Sequence, residues 1–203
     1  ANALVNIYTD GTVLVTTGGT EMGQGLNTRV RQIVAADLGV PLAAVRIGAT
    51  DTATNNNTSP TAASSGTDLN GAAAADACSR LRARLAEFAA AQFANADAGL
   101  TPSPNDIRFA EGQVWDRRHL GHTIAFTELV RAAYFQRINL GERGFYSTPG
   151  VDYNRDTGKG HPFLYFTNGA AVSEVAIDRF TGEARCVRVD LLMDVGIPIN
   201  PGL

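Results

Sequence analysis

The stretch LVNIYTDGTVLVTTGGTEMGQGLNTRVRQIVAADL, residues 4–38, decides the fold class. Leu4 to Tyr8 and Thr12 to Thr16 are rich in apolar and β-branched residues and flank Asp10-Gly11, a strong hairpin signal. The period then changes. Val30, Ile33, Val34 and Leu38 recur at helical spacing and predict a helix from about Asn27 to Leu38. Gly39 supplies its stop, with Pro41 just beyond. Between strand and helix runs Gly18-Gly19-Thr20-Glu21-Met22-Gly23-Gln24-Gly25, a loop with four glycines.

Working outward, Val45-Arg46-Ile47 reads as a short strand. Asp51 to Gly66 is almost all Thr, Asn, Ser and Ala, with Pro60 inside, and leads into a long Ala-rich helix from about Thr67 to Ala96. Leu81, Leu85 and Phe88 mark its apolar stripe, continued through the small residues Ala74, Ala77 and Cys78, which let a helix sit close to a sheet. Thr67 or Asp68 is the expected N-cap. After a Pro/Gly-bearing connection from Ala98 to Asn105, residues 107–109 and 113–115 form a second hairpin around Glu111-Gly112. A short helix fits Phe126 to Arg137, with Leu129, Val130, Ala133 and Tyr134 inward. Gly141 to Pro162 reads as loop, and Thr167 to Val195 as a last hairpin with Val187, Val189 and Leu191 on a buried face. The order predicts an α+β fold, a mixed β-sheet with helices packed mainly on one face. One domain over 1–203 is expected, with an inserted segment around 98–122.

Composition excludes several classes. With 203 residues, 44% hydrophobic and 18% charged, the chain can bury a core. A net charge of −3 leaves no basic field for nucleic acid. No apolar run reaches the roughly 18 residues of a membrane span, and no secretory signal opens the chain. Cys78 and Cys186 read as reduced core thiols of a cytoplasmic protein rather than a disulfide or metal pair. The first residue is not Met, and the chain stops just after Pro201-Gly202, so a fragment of a longer protein is expected.

Two loops could carry chemistry. Glycines in the 18–25 loop permit positive φ and close approach of backbone to a ligand. The helix N-terminus behind it offers N–H groups and a positive dipole end, which suit a phosphate or another anion. The loop is neither a P-loop nor a dinucleotide fingerprint, and a merely tight strand-to-helix turn would also explain it. Thr58-Ser59-Pro60-Thr61-Ala62-Ala63-Ser64-Ser65-Gly66-Thr67-Asp68-Leu69-Asn70-Gly71 is a second small-residue loop entering a helix. Together they read as two lips of a cleft for a polar, anionic cofactor.

These loops resemble the molybdenum hydroxylases, and the xanthine dehydrogenase branch most of all. Gly144-Phe145-Tyr146-Ser147-Thr148-Pro149, Phe163-Leu164-Tyr165-Phe166, and Met193-Asp194-Val195-Gly196 with Asn200-Pro201 extend the resemblance over nearly the whole chain. It implies a molybdenum cofactor-binding domain of a large subunit that holds molybdopterin or its cytosine dinucleotide. Carried over, Met22, Gly23 and Gln24 would face the pterin and its phosphate. Thr61, Ala62, Ala63 and Ser64 would lie against the dithiolene and molybdenum, with Ala63 near the metal but no direct metal ligand. Gly66 stands where some relatives carry Ser, so its N–H would serve instead. The implied reaction hydroxylates a purine or aldehyde carbon with oxygen from water and passes electrons through 2Fe-2S clusters and FAD to NAD. Partners would be the remainder of the large subunit and a small FAD/Fe-S subunit or domain. The family's base glutamate would lie beyond Leu203 and its substrate clamp upstream of Ala1, so no catalytic residue is expected here. Glu21 and Glu174 read as structural, and the isolated segment is expected to be inactive and apo. An aldehyde oxidase-type fragment, a purely structural or assembly module, and an unrelated phosphate-binding α+β domain are the alternatives.

Other candidates read as structural. His119 and His122 sit at metal-ligand spacing, but in an expected turn without a carboxylate or thiol pair. His161 is a loop residue, and Asp156-Thr157-Gly158 lacks the framework of an aspartic protease. Arg80, Arg82 and Arg84 read as a solvated helix face, and Trp115 as packing.

Overall fold

The computed structural model describes residues 1–97 and 99–202. The chain divides into two compact units, Ala1–Ser147 and Thr148–Pro201.

In the first unit, β1 (Asn2–Ile7) and β2 (Val13–Thr17) pair antiparallel, Val5 opposite Val15. The expected helix follows as α1 (Leu26–Leu38) and closes in a Schellman motif: Gly39 N–H donates to Ala36 O and Val40 N–H to Ala35 O. β3 (Val45–Ile47) returns parallel to β2. A π-helical turn, Thr67–Gly71, leads into α2 (Ala72–Ala96). The expected side-chain N-cap is absent, because Gly66 already has helical φ and ψ and no residue breaks the helix there.

β4 (Ile107–Ala110), β5 (Gln113–Asp116) and β6 (His119–Ala125) form a three-stranded antiparallel sheet. The expected hairpin thus gains a third strand, and its Ile107, Phe109 and Val114 are buried in the common core. α3 (Phe126–Phe135) buries Phe126, Leu129, Val130 and Ala133. Tyr134, expected inward, is 57% exposed and meets Phe135 edge-to-face instead.

β7 (Gly141–Phe145) corrects the reading of 141–162 as loop: it pairs antiparallel with β1 and completes a sheet in the order β3-β2-β1-β7. Its sequence, Gly-Glu-Arg-Gly-Phe, has no apolar alternation. The reason lies across the interface. A Cβ on Gly144 would overlap the carbonyl oxygen of Ala73 and come within 2.6 Å of Ala77 N, so the strand packs its backbone against α2. Arg84 reaches from α2 to Glu142 at 2.6 Å and to Asn139 O at 2.9 Å.

The mixed sheet buries Ala3, Val5, Ile7, Val13, Val15 and Val45 beneath both long helices. α1 adds Leu26, Val30, Val34 and Leu38, and α2 adds Ala74, Ala77, Cys78, Leu81 and Leu85. The small residues of α2 permit the close approach. The expected α+β class and one-sided helix packing are what the structure contains.

In the second unit, β8 (Asp152–Asn154) and β9 (Lys159–His161) form a small hairpin, again within the stretch read as loop. β10 (Gly169–Ile177) and β11 (Ala184–Met193) form the long one, with a bulge at Glu174/Val175. Val187, Val189 and Leu191 are exposed within this chain, so the buried face predicted for β11 is not covered. Cys186 is exposed too, not a core thiol, while Cys78 is buried; both are free.

Candidate functional site

The glycine-rich loop hangs from the end of β2 and enters α1. Thr17 Oγ1 accepts the Gly19 N–H at 3.2 Å and starts the turn. Glu21 then folds the loop about itself. Its Oε1 accepts the N–H groups of Gly23 and Gly25, and its Oε2 that of Asn27, all at 2.9 Å. The bond from the Asn27 amide, with the two glycine amides, holds the Glu21 carboxyl below its ordinary value. Gly23 and Gly25 have φ of 97° and 76°, which glycine adopts without Cβ strain. The helix N-terminus that sequence alone offers to an outside anion is therefore served by the chain's own carboxylate. The structural reading of Glu21 holds.

Gln24 is also engaged. Its Oε1 accepts Met22 N–H at 2.6 Å, its Nε2 donates to Thr20 O at 3.0 Å, and Arg29 donates to its carbonyl at 2.9 Å. The side chain shapes the loop, while Met22, Gly23 and Gln24 all lie exposed on its outer edge.

The second loop meets the first. Thr20 N–H donates to Thr61 Oγ1 at 2.9 Å. Thr50, which follows β3, holds the base of the first loop: its Oγ1 donates to Thr17 O at 3.2 Å and Gly19 O at 2.9 Å. A Cβ on Gly18 would overlap the Thr58 methyl group. Ala62, Ala63 and Ser64 are exposed, and Ala63 and Ser64 both have φ of 55°. Two successive non-glycine residues in the left-handed region are strained, and such strain gathers at ligand clamps. Gly66 faces inward: a Cβ there would lie 3.3 Å from Leu26 and 3.6 Å from Thr61. Its carbonyl accepts Asn70 Nδ2 at 2.9 Å, so this residue can act only through its backbone.

The structure thus brings 20–24 and 61–64 to one junction. Sequence reasoning named Thr61 but missed the groups that meet it and the loop base. Thr20 and Thr50 look like any threonine in a polar loop. Asn70 carried a signal, a lone amide among Leu69, Gly71 and alanines at a helix entrance.

The remaining candidates are placed elsewhere. His119 and His122 lie on β6, not in a turn. His119 Nδ1 is 2.8 Å from Oδ2 of the fully buried Asp116. Burial pushes Asp116 up, but the bonds from His119 and the Arg118 N–H outweigh it and hold the carboxyl low. His122 packs on Phe93. Among the described residues no group of three or more His, Cys, Asp or Glu could hold a metal ion. His161 is exposed beside Asp152, and Asp156-Thr157-Gly158 is the turn between β8 and β9, its N–H groups held by Asn154. Arg80, Arg82 and Arg84 are not a merely solvated face: Arg80 pairs with Asp76, Arg82 stacks on Phe109 and Arg84 binds Glu142. Among the described residues no helix is long and apolar enough to cross a membrane.

The family described as "Molybdopterin cofactor-binding domain" matches residues 1–203. Over 203 residues the chain is 43% identical to the xanthine dehydrogenase of Oryza sativa subsp. japonica and 41% identical to the xanthine dehydrogenase/oxidase of Felis catus. In both cases the match takes in 100% of this chain and 13% of the relative, so the chain spans a small part of their length. The structure resembles quinoline 2-oxidoreductase from Pseudomonas putida 86 with a TM-score of 0.75 and 28% identity, over 98% of this chain and 24% of that one.

Proposed function

The chain belongs to the molybdopterin cofactor-binding domain family, and from that premise we propose that loops 18–25 and 58–66 form one wall of the cofactor cradle in a purine-hydroxylating parent enzyme. The observation that carries this reading is the bond from Thr20 N–H to Thr61 Oγ1, which joins the two loops into one surface. Met22, Gly23 and Gln24 would border the pterin and its phosphate. Thr61, Ala62, Ala63 and Ser64 would border the dithiolene side, with Gly66 contributing backbone only.

The residues fit such a group. Ala62, Ala63 and Ser64 are small-sided, so backbone and ligand can approach closely there, and space around the Gly23 Cα is open. The left-handed pair Ala63-Ser64 holds backbone in a strained form that a bound partner would repay. When bound, the cofactor supplies the metal-centred oxidation chemistry. This chain binds and orients it and shields one side from water.

A purine substrate is supported by the names of the relatives, xanthine dehydrogenases at 43% and 41% identity. Electron transfer through 2Fe-2S and FAD in partner domains or a small subunit, and a cytoplasmic parent, belong to the same proposal and follow from the family resemblance. The segment alone would be inactive, because cofactor affinity is shared over many contacts and only one wall is here. An assembly role accompanies this one, supported by the exposed apolar residues of β10 and β11.

The test is the molybdenum and pterin content of the full-length parent carrying Gln24→Ala with Gly23→Val. Valine at φ 97° is strained and fills the open space beside the loop. The variant is expected to fold and to lose most of both. Full retention of molybdenum, pterin and purine oxidation would overturn the reading.

A further inference from the structure

Where the two loops meet, one side chain is left with an unmatched atom. Asn70 sits in the π-helical turn Thr67–Gly71 and is 5% exposed. Its Nδ2 donates to Gly66 O at 2.9 Å, which orients the carboxamide. Its Oδ1 is buried and has no hydrogen-bond partner among the described residues. The same carboxamide lies against the first loop: a Cβ on Gly19 would stand 3.0 Å from Nδ2 and 3.2 Å from Cγ. One amide therefore touches the backbone of both loops at their junction. A buried acceptor without a donor is costly. Turns of π-helix recur at functional sites.

We propose that Asn70 is a positioning residue of the cradle: it sets the gap between Gly19 and Gly66, and its Oδ1 accepts a donor that becomes ordered only when the cofactor is bound. The inference rests on the molybdopterin reading above. The donor is an N–H or O–H, either of the cofactor itself or of a water trapped beneath it.

The experiment compares full-length parent, wild type against Asn70→Leu and Asn70→Asp, purified from molybdopterin-replete and molybdopterin-deficient cells. Metal and pterin content and the melting temperatures of both forms are measured. Asn70→Leu is expected to melt a little below wild type when apo, having lost the bond to Gly66 O, to lose clearly more in the loaded form, and to retain cofactor about tenfold less tightly, the effect of one further lost hydrogen bond. Asn70→Asp keeps an acceptor at Oδ1 and is expected to recover part of the loading. Should the leucine variant not fold, Asn70→Ala carries the same comparison. A crystal structure of the loaded wild type then identifies the donor, water or cofactor, within hydrogen-bond reach of Oδ1. Wild-type loading in Asn70→Leu, equal losses of melting temperature in both forms, or no donor at Oδ1 in the loaded structure overturns the proposal. A wild-type parent with neither molybdenum nor pterin overturns the underlying reading and the proposal with it.

Discussion

Glu21 shows how one carboxylate can replace a bound anion at the mouth of a helix. It takes the loop N–H of Gly23 and those of Gly25 and Asn27, which lack partners inside the helix. Glu21→Gln keeps the shape but loses the charge and one acceptor. Faster amide exchange at Gly23, Gly25 and Asn27 is expected, read by hydrogen exchange; unchanged protection would mean that the glycines alone hold the loop. The pH dependence has a definite sign. The folded carboxyl is more acidic than its free counterpart, whose ordinary value is 4.5. The contribution is therefore present above that value and is lost as pH falls through the lower folded one. At this scale the family resemblance implied a structural Glu21, and its three N–H bonds fit that reading. The sequence could not reveal the partners, because a carboxylate among glycines has several N–H groups within reach until the backbone is set.

Among the elements, β7 was the least visible in advance. Strand signals come from apolar alternation and β-branched residues, and Gly141–Phe145 has neither. It is a strand because β1 offers an open edge and Gly144 lets α2 press on it. Gly144→Ala must push backbone from backbone, since the atoms it meets are Ala73 O and Ala77 N. A loss toward the upper end of about 1–3 kcal/mol is expected for such overpacking, measured by denaturant titration. An unchanged midpoint would show that β7 can move away from α2. By contrast, α1 was legible almost to the residue, because its stripe, its glycine stop and its Pro41 agree locally.

At the scale of the whole molecule, the two units differ in what they bury. Unit Ala1–Ser147 holds the entire buried apolar cluster. In Thr148–Pro201 the hairpin leaves Val172, Val175, Ile177, Val189 and Leu191 exposed. An isolated hairpin of this kind is marginal in water. A peptide of residues 148–201 is accordingly expected to show no cooperative thermal transition by circular dichroism. A sharp melt, independent of peptide concentration, would contradict that.

The sequence by itself determined the α+β class, the first hairpin, both long helices and the two small-residue loops. Each is written in local periodicity or in glycine and proline punctuation, which act over a few residues. Only the tertiary structure decided that Gly141–Phe145 is a strand, that His119 and His122 lie on β6, and that Thr20 meets Thr61 with Asn70 beneath Gly19. Those contacts join residues far apart in the chain. Their partners are chosen by which backbone groups the packed sheet and helices leave facing one another, and no local pattern records that choice.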